Sequence, residues 1–251
     1  MTIPHDRLLR LQGAHNIRDL GGYAVADGNE TKWRAALRGD GLARLSAGDR
    51  AMLLGEGLRT VIDLRSRHER QAEPNPFEGH PNVWFHNIPL FGALAPIEAA
   101  KGAVGRFDMA ARYREAIDHC QDQIAQVIST IASADDGVVL FHCSAGKDRT
   151  GIIAALLLSL AGVDDDTIVE DYVLTAAVAA PLLERLRAEA IGRGGSAELV
   201  DSFLTSEPET MRGLLTHIAQ AHGGTAAYLS AIGLDPSILA TLKRRLTSPV
   251  A

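Results

Sequence analysis

Residues 142–151 read His-Cys-Ser-Ala-Gly-Lys-Asp-Arg-Thr-Gly, with five residues between Cys143 and Arg149. An apolar run, 138–141, precedes this segment, and another, Ile152 to Val163, follows it. That order predicts a strand, a tight loop and a helix. A loop curled between a strand end and a helix N-terminus turns successive backbone N–H groups inward, and the helix dipole adds positive potential there. Ser144, Ala145, Gly146, Lys147, Asp148 and Arg149 would then cradle a phosphate-sized dianion, with the planar fork of Arg149 matched to two of its oxygens. A thiol at a helix N-terminus beside cations titrates at roughly 3.5–7.5. Cys143 is therefore expected to attack phosphorus as a thiolate and form a covalent thiophosphate. Arg149 and the loop amides would hold the transition state's equatorial oxygens. Thr150 is expected to donate its hydroxyl to the sulfur, and His142 to hold the cysteine backbone. This chemistry needs neither a metal nor a cofactor, and no metal-ligand spacing such as His-Glu-x-x-His or paired Cys-x-x-Cys occurs in the chain.

The elements that must position these residues are legible as patterns. Asp27-Gly28 between the β-prone runs 21–25 and 33–37 predicts a hairpin. Ser46 caps a short helix to Leu54, residues 59–64 read as a buried strand, and residues 82–88 as another. Apolar residues from Met109 to Ile131 recur at helical spacing, and Cys120 falls on that stripe as a core residue. Asp164-Asp165-Asp166 reads as a helix cap in preference to a metal site. Residues 176–204 predict two helices broken at Gly192-Arg193-Gly194-Gly195. Met211 to Ala221 predicts another helix, and Asp235-Pro236 opens the last. The fold class is α/β, with a central, mostly parallel sheet flanked by helices.

The Cys-x5-Arg segment, flanked by His142 and Thr150, resembles the cysteine-dependent protein tyrosine phosphatase superfamily. Its Gly146-Lys147-Asp148-Arg149-Thr150-Gly151 form is similar to the bacterial tyrosine phosphatase B type, a group that also accepts phosphoinositides. Asn16 to Gly22 matches that group's Asn-x-Arg-Asp-x-Gly-Gly segment. Arg38 to Leu42 resembles its Arg-Ser-x-x-Leu segment, with Gly39 in place of the serine. Asp63 to Glu69 resembles its Asp-Leu-Arg-Ser-x-x-Glu segment. The resemblance spans about residues 13–175. It implies a metal-independent phosphomonoester phosphatase acting on phosphotyrosine proteins, with phosphoserine, phosphothreonine and phosphoinositides as further candidates. A phosphoinositide-selective enzyme and a non-catalytic phosphate-binding module are the alternatives. The resemblance also implies a helical lid within about 176–206 of a single domain, residues 1–251; a plain packed hairpin is the competing reading.

Departure of an alkoxide or phenolate requires a proton, and one carboxylic acid can supply it and later act as base. The resemblance assigns that role to Asp148. Asp63, at a strand end, is the rival, or else a structural partner for an arginine. Asp108 is a weaker candidate, better read as a cap. Lys147 could engage a second phosphate on an inositol ring, or add to the field on the reacting one. Arg65 and Arg67 could extend a basic rim or be solvated, and Phe107 and Tyr113 could wall the pocket or belong to the core.

Composition sets the remaining bounds. The chain has 251 residues and a net charge of −6, which argues against a nucleic-acid partner. Residues 1–70 hold twelve Lys and Arg against nine Asp and Glu, so a locally basic face from this third is one reading and ordinary scatter the other. The two cysteines, Cys120 and Cys143, do not form a disulfide framework. A thiolate that must stay reduced favours the cytoplasm, while export without a signal peptide stays open. The longest apolar run is too short for a membrane span of roughly 20 residues. Oligomeric state has no signature in the sequence.

Overall fold

A computed structural model describes residues 6–25, 28–92 and 108–249. Its centre is a five-stranded sheet of β1 (Arg18–Asp19), β3 (Ala36–Gly39), β6 (Val138–His142), β4 (Leu58–Asp63) and β5 (Trp84–Asn87), in that spatial order. Only β1 runs antiparallel to its neighbour; β3, β6, β4 and β5 are mutually parallel. The fold is thus the α/β class with a mostly parallel sheet. All five residues of β6 are buried, as a central strand covered on both faces requires. Gly39, Asp63 and His142 lie in register at the carboxyl ends of three adjacent strands. That edge is where sites form in open α/β sheets.

Helix α1 (Ala47–Gly55) starts at the predicted Ser46, whose hydroxyl and the Asp49 carboxylate form a reciprocal capping box. Helix α2 (Arg67–Ala72) has the same device in Ser66 and Glu69. The stripe 109–131 is two helices, α3 (Met109–His119) and α4 (Gln121–Ser133), meeting at the fully buried Cys120. Cys120 leaves helical geometry (φ −107°, ψ 31°) while its N–H and C=O still serve the two helices, so the apolar register survives the bend.

Helix α5 (Asp148–Ala161) begins inside the motif and buries ten of its fourteen residues, ending at Gly162 in the left-handed region (φ 98°). Asp164 caps α6 (Asp165–Val178) by accepting from the Thr167 N–H, which is the capping role read from the sequence. Helices α7 (Ala180–Gly192) and α8 (Ala197–Leu204) follow, broken at the predicted glycines. Next comes α9 (Pro208–His222), packed against α3 and α6.

Two expectations need correction. Tyr23 and Thr31 pair across a tight hairpin, but β2 (Asn29–Thr31) is its second arm, and Ala36–Gly39 instead joins the parallel sheet. The second partner of β2 is β7 (Thr247–Pro249), at the far end of the chain. A short helix, α10 (Thr225–Ala231), also precedes the predicted α11 (Pro236–Leu246). Among the described residues, no helix is long and apolar enough to cross a membrane.

Candidate active site

The loop 143–147 joins the end of β6 to the start of α5, and its carbonyls are held from behind. The His142 ring lies with Nδ1 3.1 Å from the Cys143 carbonyl oxygen. The Gly41 N–H donates to Ser144 O at 3.0 Å, and Asn16 Nδ2 donates to Ala145 O at 2.9 Å. Arg38 Nη2 donates to Gly146 O at 2.8 Å. In a trans peptide the N–H points opposite its C=O. Pinning these four carbonyls outward therefore turns the N–H groups of residues 144–147 toward the loop's interior, where those of the first turn of α5 join them. Gly146 is required: its φ is +68°, and a Cβ there would lie 2.7 Å from the Gly39 backbone.

Beneath the loop lies a buried ionic cluster. Asp171, on α6, accepts from Arg18 Nε at 3.0 Å, from Tyr23 at 2.9 Å and from Arg38. Both arginines are 1% exposed. Burial alone would raise the Asp171 carboxyl, but Arg18 and Arg38 hold it well below the usual range. Two guanidiniums against one carboxylate leave net positive charge under the anion cradle. This revises the expectation of a basic face: Arg18, Arg38 and Arg65, three of the positive charges in the first third, lie inside.

Cys143 sits at the base of the loop, 2% exposed. Arg149 is gripped by Glu69 through two bonds of 2.8 Å, Nη1 to Oε2 and Nη2 to Oε1. The same carboxylate accepts from Ser144 Oγ at 2.7 Å and from the Ser66 N–H at 2.9 Å. Burial alone would raise the Glu69 carboxyl; Arg149 instead brings it to about 2. Burial lowers the Arg149 guanidinium, and Glu69, Cys143 and Asp148 together more than reverse that. Glu69 takes the Nη edge of the fork, which leaves the Nε side for an oxyanion.

Asp148 is partly exposed and accepts from the Tyr113 hydroxyl at 2.8 Å, with Lys147 Nζ at 3.3 Å. Tyr113 is fully buried, and burial followed by the Asp148 charge pushes its phenol well above the ordinary range. It is therefore a permanent donor to Asp148 and not a pocket wall. Phe107 lies outside the described residues. Lys147 is 1% exposed and donates to the carbonyls of Thr205, at 2.7 Å, and Phe203. Its ammonium thus points under the end of α8, not out at the mouth.

Asp63 accepts from Arg65 Nη2 at 2.7 Å and from Asn75 Nδ2 at 3.1 Å, with His142 Nε2 at 3.4 Å. Burial would raise its carboxyl, but His142 and Arg65 hold it far below the usual range. Arg65, 1% exposed, belongs to this pair and to no rim. Asp108 caps α3 by accepting from Ala111 N–H. The Thr150 hydroxyl points toward Gly39 O at 3.4 Å. No site role was foreseen for Glu69, Asn16, Arg38 or Asp171, and Tyr113 was foreseen as a pocket wall or a core residue and not as a partner of Asp148. The signals for Glu69 were its place at the end of the Asp63-to-Glu69 segment and the Ser66-x-x-Glu69 spacing, and the spacing reads equally as a capping box.

A strand, a Cys-x5-Arg loop and a helix N-terminus at the edge of a parallel sheet define a class of phosphate-ester hydrolases. The model of the tyrosine phosphatase family matches residues 9–248, and the chain belongs to that family. A tyrosine-protein phosphatase of Nostoc commune is 34% identical over 218 residues, covering 84% of this chain and 74% of that protein. The triple specificity protein phosphatase PtpB of Mycobacterium tuberculosis is 27% identical over 265 residues, covering 90% and 94%. A solved structure of P. aeruginosa TpbA, a cysteine-to-serine variant with phosphotyrosine, aligns at 15% identity over 80% of this chain and 96% of that one, with a TM-score of 0.34.

Proposed function

We propose that the protein hydrolyses phosphotyrosine through a cysteinyl-phosphate intermediate. The observation that carries this reading is the convergence on one loop of inward N–H groups, a thiol at its base and an arginine held by Glu69. Cys143 attacks phosphorus in line as the ester P–O bond breaks. The loop amides and Arg149 stabilise the equatorial oxygens. Asp148 protonates the departing oxygen and then takes a proton from the water that attacks the thiophosphate, expelling the Cys143 thiolate and releasing phosphate. Asp148 suits this role because it is partly exposed beside the cradle, whereas Glu69, also partly exposed, is committed to Arg149 and Ser144. Asp63 does not, because its ion pair with Arg65 keeps it ionised. Phosphoserine, phosphothreonine and phosphoinositides extend the proposal through the similarity to a triple-specificity enzyme. A ring phosphate recognised by Lys147 would first require α8 to release that side chain. We assign α7 and α8 to a lid on the same ground.

The test is Cys143→Ser. It should abolish turnover and retain phosphate-ester binding, since the amides and Arg149 remain. Acid quench of the wild-type enzyme with labelled substrate should trap one phosphate per chain, absent in the variant. Phosphate release by the variant at the wild-type rate would defeat the covalent mechanism. A parallel release assay over phosphotyrosine peptides, phosphoserine peptides and a phosphoinositide panel ranks the substrates.

A further inference from the structure

We propose that Asp118, His217 and His222 form a peripheral divalent-cation site selective for zinc or a cation of the same borderline class. Asp118 lies near the end of α3, and both histidines lie on α9. Their Nε2 atoms converge on one oxygen: Asp118 Oδ1 is 2.9 Å from His217 and 3.3 Å from His222. The three ligand atoms all fall within 4.8 Å of one another. Zinc binds imidazole nitrogen and carboxylate oxygen at ~2.0–2.2 Å, so neighbouring ligands of a tetrahedral ion lie ~3.3–3.5 Å apart. Asp118 Oδ1 and His222 Nε2 already lie at that spacing, and the 2.9 Å from Asp118 Oδ1 to His217 Nε2 has only to open slightly.

The rings are also held. The His222 ring packs edge-on to Tyr228, with centroids 4.9 Å apart, and the His217 ring lies edge-on to His222 at 5.6 Å. The Tyr228 hydroxyl donates to Ile117 O at 2.8 Å, tying this packing to the residue before Asp118. Side-chain exposures of 21%, 20% and 37% for His217, His222 and Asp118 leave room for water to complete the coordination. Two imidazoles with one carboxylate suit zinc and its neighbours better than magnesium or calcium, which prefer all-oxygen sets. Three protein ligands leave one position open. A bound ion would staple α3 to α9, and α3 also carries Tyr113.

Zinc alone would be titrated into metal-free Cys143→Ser protein against a chromophoric chelator; the substitution removes the nucleophilic thiolate as a competing ligand. One equivalent should bind and raise the melting temperature. Cobalt in the same site should give the visible bands of a tetrahedral ion. Loss of a supporting residue typically costs ~10–100-fold in metal affinity, so loss of a ligand in His217→Ala or His222→Ala should cost at least that. Asp118→Asn, near in shape, should also weaken binding. Circular dichroism checks folding, and His217→Gln with His222→Gln replaces any alanine variant that fails it. Zinc binding of equal strength in Cys143→Ser protein with and without the double histidine substitution would overturn the proposal. So would absence of binding in both, leaving a hydrogen-bonded histidine pair on an aspartate.

Discussion

Replacing Glu69 by Gln tests whether Arg149 works only when held. The substitution keeps the shape and one acceptor oxygen but turns an amide NH2 toward a guanidinium nitrogen that now donates at 2.8 Å. A hydrogen bond between charged groups contributes ~1.5–3 kcal/mol, and because a third of the Glu69 side chain faces water the lower end applies, ~1.5–2 kcal/mol. At ~1.4 kcal/mol per factor of ten, the productive orientation of Arg149 should become ~10–30-fold rarer, and kcat should fall by that factor. KM should change far less, because the arginine's charge and the loop amides remain. Steady-state and single-turnover rates on an aryl phosphate, with melting curves of both proteins, measure this. The pH dependence has a definite sign. The Glu69 carboxyl is lowered from 4.5 to about 2, so its stabilising contribution is complete above 4.5 and lost as pH falls through about 2. The stability difference between wild type and Glu69→Gln should therefore be flat at neutral pH and shrink only below 4.5. A kcat within twofold of wild type, or an effect confined to KM, would refute the clamp.

Asp148→Asn should slow substrates with poor leaving groups most, whereas Asp63→Asn should cost activity regardless of leaving group; burst kinetics on a series of aryl phosphates separates the two, and the reverse pattern transfers the acid role to Asp63. Asp171→Asn leaves two buried guanidiniums without a counter-charge and should destabilise the fold by ~3–5 kcal/mol in urea titrations; a loss below ~1 kcal/mol would show that water reaches the cluster. Gly146→Ala forces a side chain into the left-handed region at a cost of ~1–3 kcal/mol, before any clash with Gly39, and should reduce stability and activity together.

The loop was legible because Cys143, Gly146 and Arg149 lie within a single turn of chain, where local geometry sets their separations. The buried strands, expected at 59–64 and 138–141 and found at 58–63 and 138–142, and the cap Ser46 were legible for the same reason: their signals are short-range. What supports the loop is not. Asn16, Arg38 and Glu69 reach it from segments between 75 and 130 residues away in sequence, and Asp171 meets Arg38 across 133. A lone arginine or asparagine carries no mark of whether it will face water or a distant carbonyl. The basic excess of residues 1–70 illustrates this, since composition counts charges but does not say which side of the surface they occupy. The bend at Cys120 and the pairing of β2 with β7 were hidden similarly: the first preserves the apolar period, and the second joins the two ends of the chain.

The positive charge under the loop has a consequence for how the enzyme meets its substrate. Mobile ions screen exposed charges beyond about 10 Å at 0.1 M salt, but buried pairs are screened much less. Arg18 and Arg38, 1% exposed and sharing the Asp171 carboxylate, therefore leave a net positive charge that acts on an anion already in the loop with little screening by salt, while the chain as a whole carries −6. An approaching phosphate ester is mildly repelled at long range and held only on arrival. Added salt should then speed capture slightly and leave the residence time almost unchanged, so discrimination among substrates rests on what the mouth of the site touches and not on how strongly the molecule draws anions from solution.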